Sequence, residues 1–424
     1  MPNLSQLLTT KSSVEYKRVF EHCRDISNEL DGVDGVYIVG GIVRDLILDR
    51  APGDIDLSVV GDAKAFSQEL AARTGAASPD ESQFLTFKIR TSGIFSDVSS
   101  IDVVTARAES YADSAALPDV SVSSIDDDLK RRDFTVNAMA ISLAGSDWGT
   151  LVDPKNGFGD VMRKRIKVLH DASFVDDPTR IFRAVRYAVR LGFNLDSRTN
   201  ELISKSLPNI DRLSGTRVRN EFELVLSEPN RVEMLRMSEE IGLLAAISPG
   251  LRIGTKALQV LSDQSEQEVA STELPDLLAI TTFGLNEDES KQVVQRFDAP
   301  PAWGESITGN AQLAKHVAVL DQPNLAPSEV SDLLRAIPLA SISAYILAGP
   351  PLPRRDKLVE YVEKIRFIKP EITGDDLLEI GIPQGPIIGQ LIDIVRRAKL
   401  DGKVSTKQEE IDLAKSRLPG FLTK

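Results

Sequence analysis

The run GVYIVGGIVRDLILDRAPGDIDLSVVGD, residues 35–62, constrains the fold of this chain more than any other stretch. It begins with a short β-rich segment, GVYIVG, breaks at Gly40-Gly41, continues as IVRDLIL with helical spacing, and ends in the alternating segment DIDLSVV. Side chains at i and i+2 of a strand share a face, so Asp54 and Asp56 point the same way while Ile55 and Leu57 turn into a core. Two carboxylates side by side repel each other. They belong either to a strand edge in water or to a site for a hard cation such as magnesium, completed by phosphate oxygens. A Gly-Gly pair between strand and helix lets a phosphate approach the backbone closely, and it is equally a tight turn. Arg44, one turn into the helix, either reaches the same phosphates or pairs with Asp45 or Asp49. Asp102, in SSIDVVT, offers a third carboxylate from a neighbouring strand.

The remainder up to about residue 145 mixes helix and strand. Residues 13–31 read as a helix that starts at Ser13 and ends at Gly32. AKAFSQELAARTG is a second helix, FLTFKIRT and SSIDVVTA are strands, and DLKRRDFTVNAMAISL (128–143) is a helix start running into a strand or buried turn. From about residue 160 to 424 the pattern is helical throughout, broken by Pro- and Gly-rich stretches at 248–250, 298–304 and 348–355. The expected architecture is an α+β head followed by a long helical body.

Composition narrows the chemistry. A chain of 424 residues with 42% hydrophobic and 27% charged residues is expected to form two to four packed domains. No apolar run reaches the roughly 18 residues that a membrane span needs. The polar N-terminus and the single cysteine, Cys23, make a cytoplasmic protein the expectation. Three widely separated histidines, His22, His170 and His316, disfavour a histidine zinc site, so metal chemistry would rest on carboxylates. The net charge of −13 argues against a general nucleic-acid coat. Residues 151–220 nevertheless carry 14 basic against 8 acidic side chains, which is either a local polyanion site or a solvated helix face.

Three strings taken together, GGIVRD…GDIDL, LKRRDFTVNAMA and DDPTRIFRAVRYA, resemble the class II tRNA nucleotidyltransferase and bacterial poly(A) polymerase family. They cover about residues 37–220, and residues 372–412 also resemble the family's C-terminal segment. The resemblance implies a polymerase-β-like nucleotidyltransferase head over 1–145, a neck over 146–225, a helical body over 226–300 and a tRNA-binding tail over 301–424. It implies that Asp54 and Asp56 hold catalytic magnesium and that Gly40, Gly41 and Arg44 bind a triphosphate. Arg132 would contact the incoming nucleotide, and Asp133 and Asn137 would fix the sugar and the local fold. Asp177 and Arg180 would read the base, with Arg183 and Arg186 extending that face. The expected activity is addition of CCA to the tRNA 3′ end from CTP and ATP. The alternatives are A-addition alone, poly(A) tailing, or a catalytically silent RNA-binding scaffold.

Base reading by such a pair has its own physical logic. Cytosine and adenine each present an amino donor beside a ring-nitrogen acceptor, whereas uracil and guanine present the reverse. An ionised Asp only accepts and an Arg only donates, so the pair suits C and A and leaves polar groups unpaired against U and G. Asp177 and Arg180 are i and i+3 at a helix start. Arg180, Arg183, Arg186 and Arg190 fall within about 120° of one helix face. Residues Ser110–Pro118 resemble the family's flexible loop, which is associated with terminal A addition and disfavours a CC-only enzyme. In the tail, PLPRRDK (351–357) and Arg396-Arg397 are either phosphate contacts or ordinary surface charge.

Overall fold

The computed structural model describes residues 3–11, 13–51, 53–82, 85–110, 119–350 and 353–418. Contacts divide the chain into two compact units, one of residues 1–214 and 240–243, the other of 215–239 and 244–424.

The first unit is built on a seven-stranded mixed sheet. Helix α1 (Val14–Glu29) leads into strand β1 (Val33–Val39), helix α2 (Gly41–Ile47) and strand β2 (Ile55–Gly61). Helix α3 (Ala63–Thr74) follows, then strands β3 (Asp80–Glu81), β4 (Thr86–Arg90) and β5 (Ser100–Thr105). A separate hairpin, β6 (Arg107–Ser110) with β7 (Asp119–Val122), precedes helix α4 (Ile125–Lys130). A 3₁₀ turn at Thr135–Asn137 then connects to strands β8 (Ala140–Ser142) and β9 (Leu151–Val152). The sheet order is β3-β4-β5-β2-β1-β8-β9, with β2 and β5 parallel and the other neighbours antiparallel. The inward residues Val36, Ile38, Ile55, Leu57, Ile101 and Val103 are fully buried, as the alternation requires. Cys23 is buried in α1, where burial pushes its thiol up and keeps it a neutral core side chain.

Helix α5 (Gly157–Met162), strand β10 (Arg165–Ile166), helix α6 (Ser173–Asp176), helix α7 (Thr179–Leu191), strand β11 (Asn194–Leu195) and helix α8 (Ser197–Ser206) complete this unit. The β10–β11 pair corrects the expectation that everything after residue 160 is helical: two residues per strand are too short to show a period.

The second unit is all helical among its described residues, from Gly215–Leu226 to Lys407–Arg417. Two of the expected breaks are shorter than their composition suggested. Pro301 and Pro353 open helices, because proline at the first helical position gives up an N–H that would be unpaired anyway. Two apolar clusters hold the C-terminal part. One includes Leu313, Leu334, Ile342 and Leu358; the other includes Ile372, Leu377, Leu391 and Val395. No single helix among the described residues is long and apolar enough to cross a membrane. The apolar pair Pro327–Leu334 and Leu339–Ala348 is bent by 111° and buries Val330, Leu334 and Ile342 in the first cluster.

Candidate active site

Strand pairing assembles the acidic floor of the site. The parallel register sets Asp56 opposite Asp102, and the antiparallel register sets Asp102 opposite Lys88. Lys88 Nζ lies 3.0 Å from Asp102 Oδ2, so the third predicted carboxylate already has a cation. Asp54 sits one residue ahead of β2 and accepts hydrogen bonds from Ser99 Oγ at 2.6 Å and the Ser100 amide at 3.2 Å. Helix α1 braces both supporting loops. Tyr16 donates to the Gly53 carbonyl, and Glu15 accepts from the amides of Ser96 and Asp97.

The Asp56 carboxyl is open to the cleft yet crowded by surrounding protein. It is pushed up to about 6, first by desolvation and then by Asp102 and Asp54, against the pull of Arg132 and Lys88. An acid disfavoured by its own neighbours is the donor environment that a hard divalent cation relieves. Among the described residues no three Asp, Glu, His or Cys side chains converge to hold an ion by themselves. Asp54 and Asp56 thus fit a site that takes its remaining oxygens from a ligand.

Above this floor, the Gly-Gly turn meets the RRD segment. Gly40 has φ +77°, and a Cβ there would lie 2.7 Å from Arg132 Nη1. The positive φ favours glycine, and a methyl group there would push the Arg132 guanidinium aside. Arg132 and Arg131 are both held by the fully buried Asp128, at 3.1 and 2.7 Å. Arg132 Nε is buried and has no acceptor among the described residues.

Arg44 does not line the cleft. It is buried beneath Gly41, with Nε and Nη2 on Asp45 at 2.9 and 3.0 Å and Nη1 on Asn137. The pairing with Asp45 is one of the two roles its sequence position allowed. Asn137 in turn donates to Asp133, which also accepts from the Phe134 amide and from Arg183 Nε at 2.8 Å. Burial pushes the Asp133 carboxyl up, but Arg183, Asn137 and the Phe134 amide outweigh it and hold it below the usual range.

Helix α7 supplies the opposite wall. Asp177 precedes the helix and accepts from the Thr179 amide and hydroxyl at 3.1 and 2.7 Å. Arg180 is 6% exposed and donates to Ser173 Oγ and to the Arg131 carbonyl. The resulting cleft, of about 390 Å³, is lined by Asp56 and Asp102, by Gly40 and Gly41, by Arg132, Asp133 and Asn137, and by Asp177, Arg180 and Arg183. Ten predicted residues therefore converge on one cleft. Asp54, Arg44 and Arg186 do not line it, and residues 111–118 of the expected flexible loop lie outside the described residues.

Two polar lining residues escaped sequence reasoning, Arg131 and Tyr187. Tyr187 was legible: it is i+4 from Arg183 and i+7 from Arg180, on the same helical stripe. Arg131 was named only as part of RRD, and nothing in the string ranks it beside Arg132.

Several cations of the charge-rich segments have carboxylate partners nearby. Arg165 pairs with Asp160 and Asp196, Arg198 with Asp171 and Glu201, and Lys205 with Glu201. In the second unit, Arg354 pairs with Asp321 at 3.1 Å, Lys357 donates to the Leu320 carbonyl, Arg396 pairs with Asp332 and Asp393, and Arg397 pairs with Asp332. The exposed pairs among them contribute little stability.

A paired carboxylate floor under a glycine turn, walled by arginines, is the equipment of a nucleotidyltransferase, and known proteins agree with that class. Residues 36–167 match the Poly A polymerase head domain, and residues 192–253 match the probable RNA and SrmB-binding site of polymerase A. The chain is 34% identical over 398 residues to the A-adding tRNA nucleotidyltransferase of Geobacter sulfurreducens, covering 89% of this chain but only 44% of that protein. It is 30% identical over 385 residues to the A-adding tRNA nucleotidyltransferase of Halalkalibacterium halodurans, covering 90% of this chain and 88% of that one. The solved structure of the Thermotoga maritima CCA-adding enzyme complexed with tRNA-CCA superposes with a TM-score of 0.72 at 27% identity, over 98% of this chain and 99% of that one. The chain belongs to the tRNA nucleotidyltransferase family.

Proposed function

We propose that this chain completes tRNA 3′ ends by template-independent addition of CCA from CTP and ATP, with magnesium as the metal. The reaction would join the 3′-hydroxyl oxygen of the RNA to the nucleotide α-phosphorus and release pyrophosphate. The observation that carries this reading is the convergence of Asp56, the Gly40-Gly41 turn, Arg132 and the Asp177–Arg180 pair on one cleft. Asp54 and Asp56 would hold the ions, which when bound polarise the transferred phosphoryl group and neutralise the leaving group in a two-metal displacement. The glycine turn lets phosphate oxygens approach the backbone, and Arg132 and Arg183 meet their charge. Asp133 and Asn137 keep Arg183 and Arg44 in place. Asp177 and Arg180 would pair with the edge shared by cytosine and adenine, so base choice would rest on side chains rather than on a nucleic-acid template. Positioning and charge neutralisation then supply most of the rate.

A second reading, addition of the terminal A alone, is favoured by the names of the two relatives above. One experiment separates them. The pure chain is incubated with tRNA ending before CCA, ending at CC, or complete, together with labelled CTP or ATP. Label from both nucleotides on the first tRNA supports CCA addition. Extension of only the CC-ending tRNA supports A-addition instead, and long A tracts mark poly(A) tailing. No incorporation on any substrate leaves an RNA-binding scaffold.

A further inference from the structure

We propose that Tyr187 is a positioning residue for nucleotide binding: its hydroxyl orients Arg183, and its ring gathers Arg44, Arg183 and Arg190 into one cationic array behind the cleft. The inference rests on the nucleotidyl-transfer reading above and adds to it a residue that the family motifs did not single out.

The geometry is specific. Tyr187 lines the cleft from helix α7. Its ring meets the buried Phe134 edge-on, with centroids 5.9 Å apart at 77°, so the ring plane is set by the core. The guanidinium carbons of Arg183, Arg44 and Arg190 stand 5.3, 5.5 and 5.9 Å from the ring centroid. Three like charges so close repel one another, and the negative face of an aromatic ring offsets part of that repulsion.

The hydroxyl adds direction. It accepts from Arg183 Nη2 at 3.0 Å and shares that nitrogen with Asp133 Oδ2, which lies 2.7 Å from Nη2 and accepts from Nε at 2.8 Å. A guanidinium is planar, so two acceptors along one edge fix its plane. Arg183 is thereby presented to the cleft before any ligand arrives, and it need not lose rotamer freedom on binding a polyphosphate. Burial pushes the Tyr187 phenol up, which keeps the O–H neutral at physiological pH. Phenylalanine at this position would preserve the ring contacts and remove only the orientation.

The test uses the full chain. Tyr187→Phe is compared with the unmutated protein by calorimetric titration of ATP and CTP with magnesium present, and by steady-state incorporation into tRNA ending before CCA. The expected result is a rise of about three- to tenfold in nucleotide Kd and KM, with kcat changed by less than about twofold, as for loss of one charge-assisted hydrogen bond. The unfolding midpoint should move by less than about 3 °C. Arg183→Gln should weaken binding more, and adding Tyr187→Phe to it should cost nothing further, because the hydroxyl acts through that arginine. Unchanged Kd and KM in Tyr187→Phe, or full additivity in the double variant, would overturn the proposal. If the unmutated chain binds nucleotide but incorporates none, the functional reading fails while the binding comparison still decides the role of Tyr187. Absence of nucleotide binding by the unmutated chain sinks both.

Discussion

Two buried carboxylates, one in each unit, show how similar chemistry serves different ends. In the first unit Asp133 accepts from Asn137, the Phe134 amide and Arg183. In the second unit Glu410, fully buried, accepts from the amides of Glu371 and Ile372 at 2.7 and 2.9 Å and from Lys399 Nζ at 2.7 Å. Both acids are held below the usual carboxylate range against the upward push of burial. The difference lies in the cation. Arg183 faces the cleft, whereas Lys399 is only 17% exposed and also binds Glu371, so its charge is spent inside the tail. A buried ion pair is therefore no mark of a site by itself; what matters is whether its cation still presents a surface to a ligand.

The sharpest way to test that contrast is to remove a charge from each side of it. Asp56→Ala should lower nucleotide incorporation by at least about a thousandfold, since the site loses a carboxylate that would hold an ion on the reacting phosphates. Its circular dichroism and tRNA binding should be unchanged. Normal extension of tRNA by that variant would refute the metal assignment.

Glu410→Gln should do the opposite. It leaves Lys399 short of a counter-ion and two amides with a weaker acceptor, at a stability cost of about 3 kcal/mol by thermal or denaturant unfolding. Nucleotide KM below the transition should not move. The pH dependence follows from the sign of the shift. A carboxyl lowered in the folded state stabilises the fold fully above its ordinary value of 4.5, and the contribution fades as pH falls through the lower folded value. Stability of the natural chain should thus decline on acidification through that window, and the decline should be shallower in Glu410→Gln. Equal slopes would remove Glu410 from the account.

Gly40→Ala sharpens the comparison at the smallest scale. The added methyl meets Arg132 Nη1 and the residue must keep φ +77°, which costs about 1–2 kcal/mol of stability. Nucleotide KM should rise as well, because the same arginine is displaced. A variant with normal KM would show that Arg132 finds its place without the turn.

Much of the site was legible because it obeys local rules. Asp56 lines the cleft from β2 and the Gly-Gly turn announced itself, whereas Asp54 stands one residue ahead of the strand and outside the cleft. The i, i+3 stripe brought Asp177, Arg180 and Arg183 to one wall. Arg186 was drawn onto that wall by the same helical arithmetic, yet it does not line the cleft. A 120° arc of arginines is wider than the strip of helix that a narrow cleft can touch. Arg44 shows the converse: its string fits a phosphate ligand, but Asp45 and Asn137 hold all three of its nitrogens beneath the turn. In the basic middle Arg165, Arg198 and Lys205 pair with Asp160, Asp171, Asp196 and Glu201, acids of the same segment, so its excess of basic side chains remains.

By itself the sequence determined which residues share a face and where the chain turns, because covalent backbone geometry imposes the strand and helix periods on any segment that adopts them. It also carried enough motif to identify the chemistry. Only the tertiary structure decided which faces meet. The register of β5 against β2 and β4 sets Asp102 beside Asp56 and then gives it Lys88. The approach of α7 to RRD makes Asp133, Arg183 and Tyr187 one network. The Lys88–Asp102 and Asp133–Arg183 pairings join residues 14 and 50 positions apart, and no local period encodes them. They are selected by burial of the apolar faces behind them, which fixes the register and leaves the charged side chains to find partners in the cleft that results.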